Sequence, residues 1–207
     1  MTKNLDKDGL SSIVDDYQLF YVDLWGVVHN GVSLHKEAIK TLNEITKKKK
    51  DYILLTNAPR PNKTVKSFLE KLGMEKEITE HVFTSGEAAL NYLKKNFQNK
   101  TFFHVGPPRD FDLFKDLKNN KSENIKNCEY ILCTGLFDDH DKDLNFYKEL
   151  FEKNLKKKMI CTNPDLIVDR GNEREFCAGS VAMVFEKMGG EVVYFGKPYP
   201  EVYNQSF

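Results

Sequence analysis

The stretch YVDLWGVVHNG, residues 21–31, decides how the rest of the chain is read. Tyr21 and Val22 close a short apolar run, Asp23 follows at once, and a glycine-containing loop comes next. A strand that delivers a carboxylate into a loop is how an α/β enzyme presents a nucleophile at the carboxyl edge of its sheet. Two residues on, where a partner acid would stand, the sequence has Trp25. Taken alone, an aspartate at a strand end is an ordinary turn or helix-cap residue. Its meaning rests on what the remaining loops carry.

Outward from this stretch, short apolar runs alternate with helical patterns. QLFYVDL (18–24) and DYILLTN (51–57) read as strands, with Ala38, Ile39, Leu42 and Ile45 at helical spacing between them. NAPRP breaks the chain before a helix that places Val65, Phe68, Leu69 and Leu72 on one face, and HVFTS (81–85) and the helix EAALNYLKK (87–95) follow. The pattern then restarts. TFFHVG (101–106), EYILCTG (129–135) and KMICTN (158–163) are strands, separated by helical segments near 109–118 and 141–156. GSVAMVFEKMGG (179–190) is a helix with a glycine stop, EVVYFGKP (191–198) a strand, and YPEVYNQSF the opening of a helix with Pro200 near its start. Such alternation with short connections implies mostly parallel sheet, and an α/β fold of two units, the second inserted into the first.

Three loops after three of these strands carry chemistry: Asp23, then Thr56-Asn57, then Gly196-Lys197-Pro198. In a parallel sheet they open on one edge. A carboxylate can attack phosphorus, while a hydroxyl, backbone N–H groups and an ammonium stabilise charge on the transferring oxygens. The joint order favours phosphoryl chemistry over three unrelated turn residues.

Bulk properties narrow the field. The 207 residues carry 31 Lys+Arg and 31 Asp+Glu, a formal charge of zero that argues against a non-specific nucleic-acid or anionic-membrane surface. The four cysteines (128, 133, 161, 177) show no CxxC pair, and Cys133 and Cys161 sit at the ends of apolar runs, where a small buried thiol is ordinary. No signal peptide and no long apolar span are visible, so a reducing, cytoplasmic setting is expected.

VDLWGVVHNG, LLTNAPRP, TNPD (162–165), CAGSVAMVFEKMGG (177–190) and FGKPYPEVY (195–203) together resemble the haloacid dehalogenase superfamily, most closely its class IIA branch. The resemblance implies a Rossmann-like parallel-sheet core with an inserted α/β cap: core over 1–98, cap over 99–190, and core again over 191–207. It implies a magnesium-dependent phosphatase of a small phosphorylated metabolite. Asp23 becomes the nucleophile that forms an aspartyl-phosphate. Thr56 holds the phosphate by its hydroxyl, Asn57 by its backbone N–H, and Lys197 neutralises both phosphate and Asp23. Magnesium is held partly by Asp23 and by the backbone carbonyl of Trp25. Asn163, Pro164 and Asp165 match a family segment that faces the core–cap junction and help shape the substrate pocket.

Two departures from the family pattern stand out. The usual first motif is DxD, whose second aspartate protonates the leaving oxygen and then activates water. Indole is a donor only, so its loss at Trp25 costs on the order of 10²–10⁴ in rate. A branch of similar sequences carries this DxWG variant. The fourth motif, an acidic GDxxxxD loop, lies beyond GKPxPxxY, and the sequence stops at Phe207 without it. The reading is therefore a chain truncated before that motif, with an impaired or ligand-binding remnant as the alternative to an active phosphatase. An uncovered sheet edge would also favour a homo-oligomer.

Other features admit plainer readings. DDHDKD (138–143) is read as helix-capping acid rather than a metal cluster, and KKKK (47–50) as the basic end of a helix. Arg109, in GPPRD, is either a contact to a substrate phosphate or carboxylate or part of an ordinary helix start with Asp110 in its first turn. His29 is a stand-in acid/base or, more simply, a structural histidine.

Overall fold

The computed structural model describes residues 5–170 and 173–206, and the chain folds into two compact units. The first takes the chain up to Thr56 together with Lys66–Phe83. Its sheet has the order β1-β2-β3, with β1 Leu19–Val22, β2 Asp51–Thr56 and β3 Val82–Thr84. β1 and β2 run parallel, with Leu19 opposite Asp51 and Val22 opposite Leu54. Leu54 and Leu55 are wholly buried, as expected of a strand covered on both faces. The helix Lys36–Lys47 buries Leu42 and Ile45, and Asn62–Lys71 buries Val65 and Leu69. In each the periodicity is that of one apolar stripe.

The second unit takes Asn57–Val65 and the chain from Thr84 onward. Four parallel strands lie in the order β4-β5-β6-β9: Phe102–Val105, Tyr130–Cys133, Lys158–Cys161 and Glu191–Tyr194. β5 is buried along its whole length. The helices Leu144–Phe151 and Ala178–Lys187 cover this sheet, with Phe151 meeting Phe185 edge-on at 5.1 Å between ring centroids. The helix Ser85–Asn96 belongs to the same unit, and its Asn91 donates to Gln205 of the final helix, Pro200–Gln205.

The strands read from the sequence are present, each trimmed at one or both ends. The segment near 109–118 forms 3-10 turns over Pro108–Asn120, interrupted at Phe114, rather than a regular α-helix. The strand that opens 191–207 pairs with β6 in the four-stranded sheet. An antiparallel ribbon, β7 Ile167–Arg170 with β8 Glu173–Phe176, was not anticipated. Its residues are mostly exposed or half-buried, so no apolar run announces it. Among the described residues no helix is long and apolar enough to cross a membrane. Phe207, on which the expected chain end rests, lies outside the described residues.

Candidate active site

In the first unit the register of β1 against β2 carries the site. Since Val22 lies opposite Leu54, Asp23 and Thr56 leave the sheet at the same carboxyl edge. Asp23 is half-buried and Thr56 buried. The loop after Asp23 is shaped by one carbonyl: Leu24 O accepts from Val27, Val28 and His29 N–H at 3.3, 2.9 and 3.1 Å. Leu24 and Val28 plug the interior while Trp25 and Val27 face outward. The indole lies against Gly31, where a Cβ would come within 2.8 Å of its edge, so only glycine lets the ring settle there. His29 meets Trp25 and Phe68 edge-on, each at 5.5 Å, and its Nδ1 accepts from Gly31 N–H at 3.0 Å. Burial first, and then His35, hold its pKa below the usual histidine value, against a smaller upward pull from Asp23. This packing is that of the structural histidine.

The second unit gathers the other candidates. The loop after β9 carries Gly196-Lys197, where Asn57 grips the backbone of Lys197: Asn57 Oδ1 accepts its N–H at 2.7 Å, and Nδ2 donates to its carbonyl at 3.1 Å. The same Nδ2 donates to Asp165 Oδ1 at 2.8 Å, and Asn163 Oδ1 accepts from Asp165 N–H at 2.9 Å. Asn57, Asn163, Asp165 and Lys197 thus come together. Arg109 stands apart from them in an exposed ion pair with Asp138 at 2.7 Å. Asp143, from the acidic stretch, caps the helix Leu144–Phe151 through Asn145 and Phe146 N–H.

Sequence reading missed several polar residues here. Ser85 donates to Thr162 O at 2.6 Å and to Ala58 O at 3.1 Å, stapling the loop after Thr56 to the end of β6. A buried polar chain also runs through His104, Thr134 and Asp110 to Arg60. His104 Nε2 lies 2.8 Å from Thr134 Oγ1, and burial, helped by the Lys121 charge, brings its pKa down to about 4. Burial raises Asp110, opposed by its hydrogen bond with Thr134 and by Arg60 and Arg109. The available signal was Thr84-Ser85-Gly86-Glu87, a capping-box spacing ahead of an apolar helix.

Among the described residues no three His, Cys, Asp or Glu side chains assemble as a metal cluster. The Asp23 carboxylate and the Trp25 carbonyl are oxygen donors, right in kind for Mg²⁺. That ion keeps several waters and takes one or two carboxylates plus substrate phosphate. One carboxylate fits it at the lower limit of charge.

A family model for haloacid dehalogenase-like hydrolases matches residues 20–119. A haloacid dehalogenase-like hydrolase from Brucella suis is 31% identical, with a TM-score of 0.85, over 95% of this chain and 72% of its own. A 4-nitrophenylphosphatase from Thermotoga maritima shares the fold at 23% identity and a TM-score of 0.69, over 93% of this chain and 73% of that one. So does a glycerol phosphate phosphatase from Mycobacterium tuberculosis in complex with magnesium, at 20% identity and 0.66, over 94% and 59%. No curated protein matches the sequence. Parallel sheet, a carboxylate at the strand edge and these likenesses define a hydrolase of the α/β class. The chain belongs to the haloacid dehalogenase-like hydrolases, and the class IIA branch recognised in its sequence agrees with these neighbours.

Proposed function

We propose that this chain is a Mg²⁺-dependent phosphatase of a small phosphorylated metabolite, working through an aspartyl-phosphate on Asp23. The observation that carries the reading is the shared edge of β1 and β2, from which Asp23 and Thr56 both emerge, in a chain of this hydrolase family. In this scheme the Asp23 carboxylate attacks phosphorus and the leaving oxygen departs with its electron pair. The Thr56 hydroxyl and the Asn57 N–H hold the transferring oxygens, and the Lys197 ammonium neutralises their charge. Magnesium, held by Asp23 and the Trp25 carbonyl, would supply charge neutralisation between carboxylate and phosphate. Water then takes phosphate from Asp23. Residues 99–190 serve as the cap in this reading, with Asn163 and Asp165 shaping the substrate pocket. Arg109 would reach a substrate only by exchanging Asp138. The buried free thiols Cys128, Cys133 and Cys161 support a reducing cytoplasmic setting.

A second reading, phosphate-ligand binding with little turnover, is favoured by Trp25, which offers no proton acceptor. Hydrolysis of p-nitrophenyl phosphate with and without Mg²⁺ decides between them. Mg²⁺-dependent turnover that disappears in Asp23→Asn is the expected result, and turnover that survives this change rules the scheme out. Thermal stabilisation by inorganic phosphate without hydrolysis would select the binding reading.

A further inference from the structure

The side chain of Asn57 does something that the proposed phosphate contacts do not assign to it. We infer that Asn57 is a positioning residue: its amide sets the backbone of Lys197, and so the place from which the lysine ammonium acts. The inference rests on the proposed phosphate role of Lys197.

The geometry is specific. Asn57 and Lys197 are 140 residues apart in sequence, yet the Asn57 amide pairs with both backbone polar groups of Lys197. Its Oδ1 receives the N–H at 2.7 Å while its Nδ2 reaches the carbonyl at 3.1 Å. The third bond, Nδ2 to Asp165 Oδ1 at 2.8 Å, fixes the sense of the amide. Turned the other way, its oxygen would face a carbonyl and a carboxylate and its NH₂ would face an N–H. Asn57 is buried, so each bond would be costly to leave unmade.

The neighbours are shaped around this contact. Gly196 has φ +127°, and a Cβ there would lie 2.6 Å from Asn57 Oδ1 and 2.5 Å from Pro164 Cδ. Only glycine lets the loop after β9 turn toward Lys197 so close to the amide. Asp165, held through its own N–H by Asn163, is turned by the same bond into a brace for Asn57. The residue that follows Thr56 in the chain therefore governs the start of the lysine loop. Positioning of this kind has high leverage, since a displacement of about 1 Å at a reacting group can cost 10²-fold.

The test uses the full chain, with inorganic phosphate as the calorimetric ligand and hydrogen exchange of the Lys197 amide as a separate readout. Asn57→Ala is expected to speed exchange at Lys197 and weaken phosphate binding by about 10–10²-fold. Lys197→Ala weakens binding too, and adding Asn57→Ala to it brings little further loss, because one residue acts through the other. Asn57→Asp preserves the packing if the alanine variant fails to fold. It sets a carboxylate against Asp165 and should impair binding, and Asp165→Asn in the same chain should restore part of it. Unchanged exchange and binding in Asn57→Ala, or losses that simply add to those of Lys197→Ala, overturn the inference. Faster Lys197 exchange in Asn57→Ala combined with wild-type phosphate binding in Lys197→Ala would leave the contact real. It would remove both its role and the proposed role of the lysine.

Discussion

In the proposed aspartyl-phosphate cycle, an indole in place of a carboxyl changes the two halves unequally. Protonating the leaving oxygen matters most for an alkoxide and little for p-nitrophenolate, which departs readily as the anion. Activating water against the aspartyl-phosphate matters for both. Trp25→Asp should therefore raise turnover of an alkyl phosphate such as glycerol phosphate by about 10²-fold, the lower end for a positioned acid/base, and that of p-nitrophenyl phosphate by less. The gain comes with a loss of packing, because the indole that meets His29 edge-on and covers Gly31 is removed. Edge-on aromatic pairs contribute about 0.5–1.5 kcal/mol beyond their area. Steady-state kinetics on the two esters, alongside urea unfolding, measures both effects. Equal rate gains on the two substrates would place the missing function in water activation alone. No gain on either would mean that Trp25 does not occupy an acid/base position.

At the scale of elements, the start of the helix Ser85–Asn96 shows how the structure is held and how much of it could be read in advance. Thr84 Oγ1 accepts from Glu87 N–H at 2.9 Å and donates to Arg60 O. Glu87 accepts from Asn62 N–H, and Asn62 Oδ1 accepts from Thr84 N–H, each at 2.9 Å. Two helix starts are thereby tied side by side. Thr84→Ala should cost about 2 kcal/mol, as a buried cap that also leaves the Arg60 carbonyl unmet, and Thr84→Ser should recover most of it. Urea denaturation of the three proteins checks this, and a loss below a few tenths would show that water replaces the hydroxyl. The strands and helices were legible because apolar runs such as Tyr130–Cys133 and the stripe holding Leu42 and Ile45 record burial directly. The β7–β8 ribbon was not, because its residues cover no core. Asp23 and Lys197 were singled out from their places after strands. The Asn57 amide, the Ser85 staple and the His104 chain depend on partners distant in sequence. Spacing along one chain does not encode such contacts.

For the molecule as a whole, the buried His104 ties stability to pH. Its imidazole is buried beside Thr134 and near the Lys121 charge, and its pKa falls from 6.5 to about 4. A histidine lowered in the folded state binds its proton more readily when unfolded. Its contribution is whole above about pH 6.5 and is lost as pH falls toward about 4. The full span corresponds to roughly 3 kcal/mol at 1.36 kcal/mol per unit, a sizeable part of a stability of about 5–15 kcal/mol. Asp110, on the same polar chain and raised by burial, works in the opposite sense, since its carboxyl is better tolerated once protonated. The net fall is therefore smaller than the histidine alone would give. Urea unfolding from pH 7.5 to 4 should show wild-type stability declining between pH 6.5 and 4. His104→Gln, which keeps a side-chain polar group within reach of Thr134 but cannot titrate, should show a shallower decline over the same window. Parallel declines in the two proteins would assign the acid sensitivity to other groups. A steeper fall in the variant would mean that its amide fails to replace the imidazole at Thr134 and exposes the carboxyl of Asp110 to an unpaired neighbour.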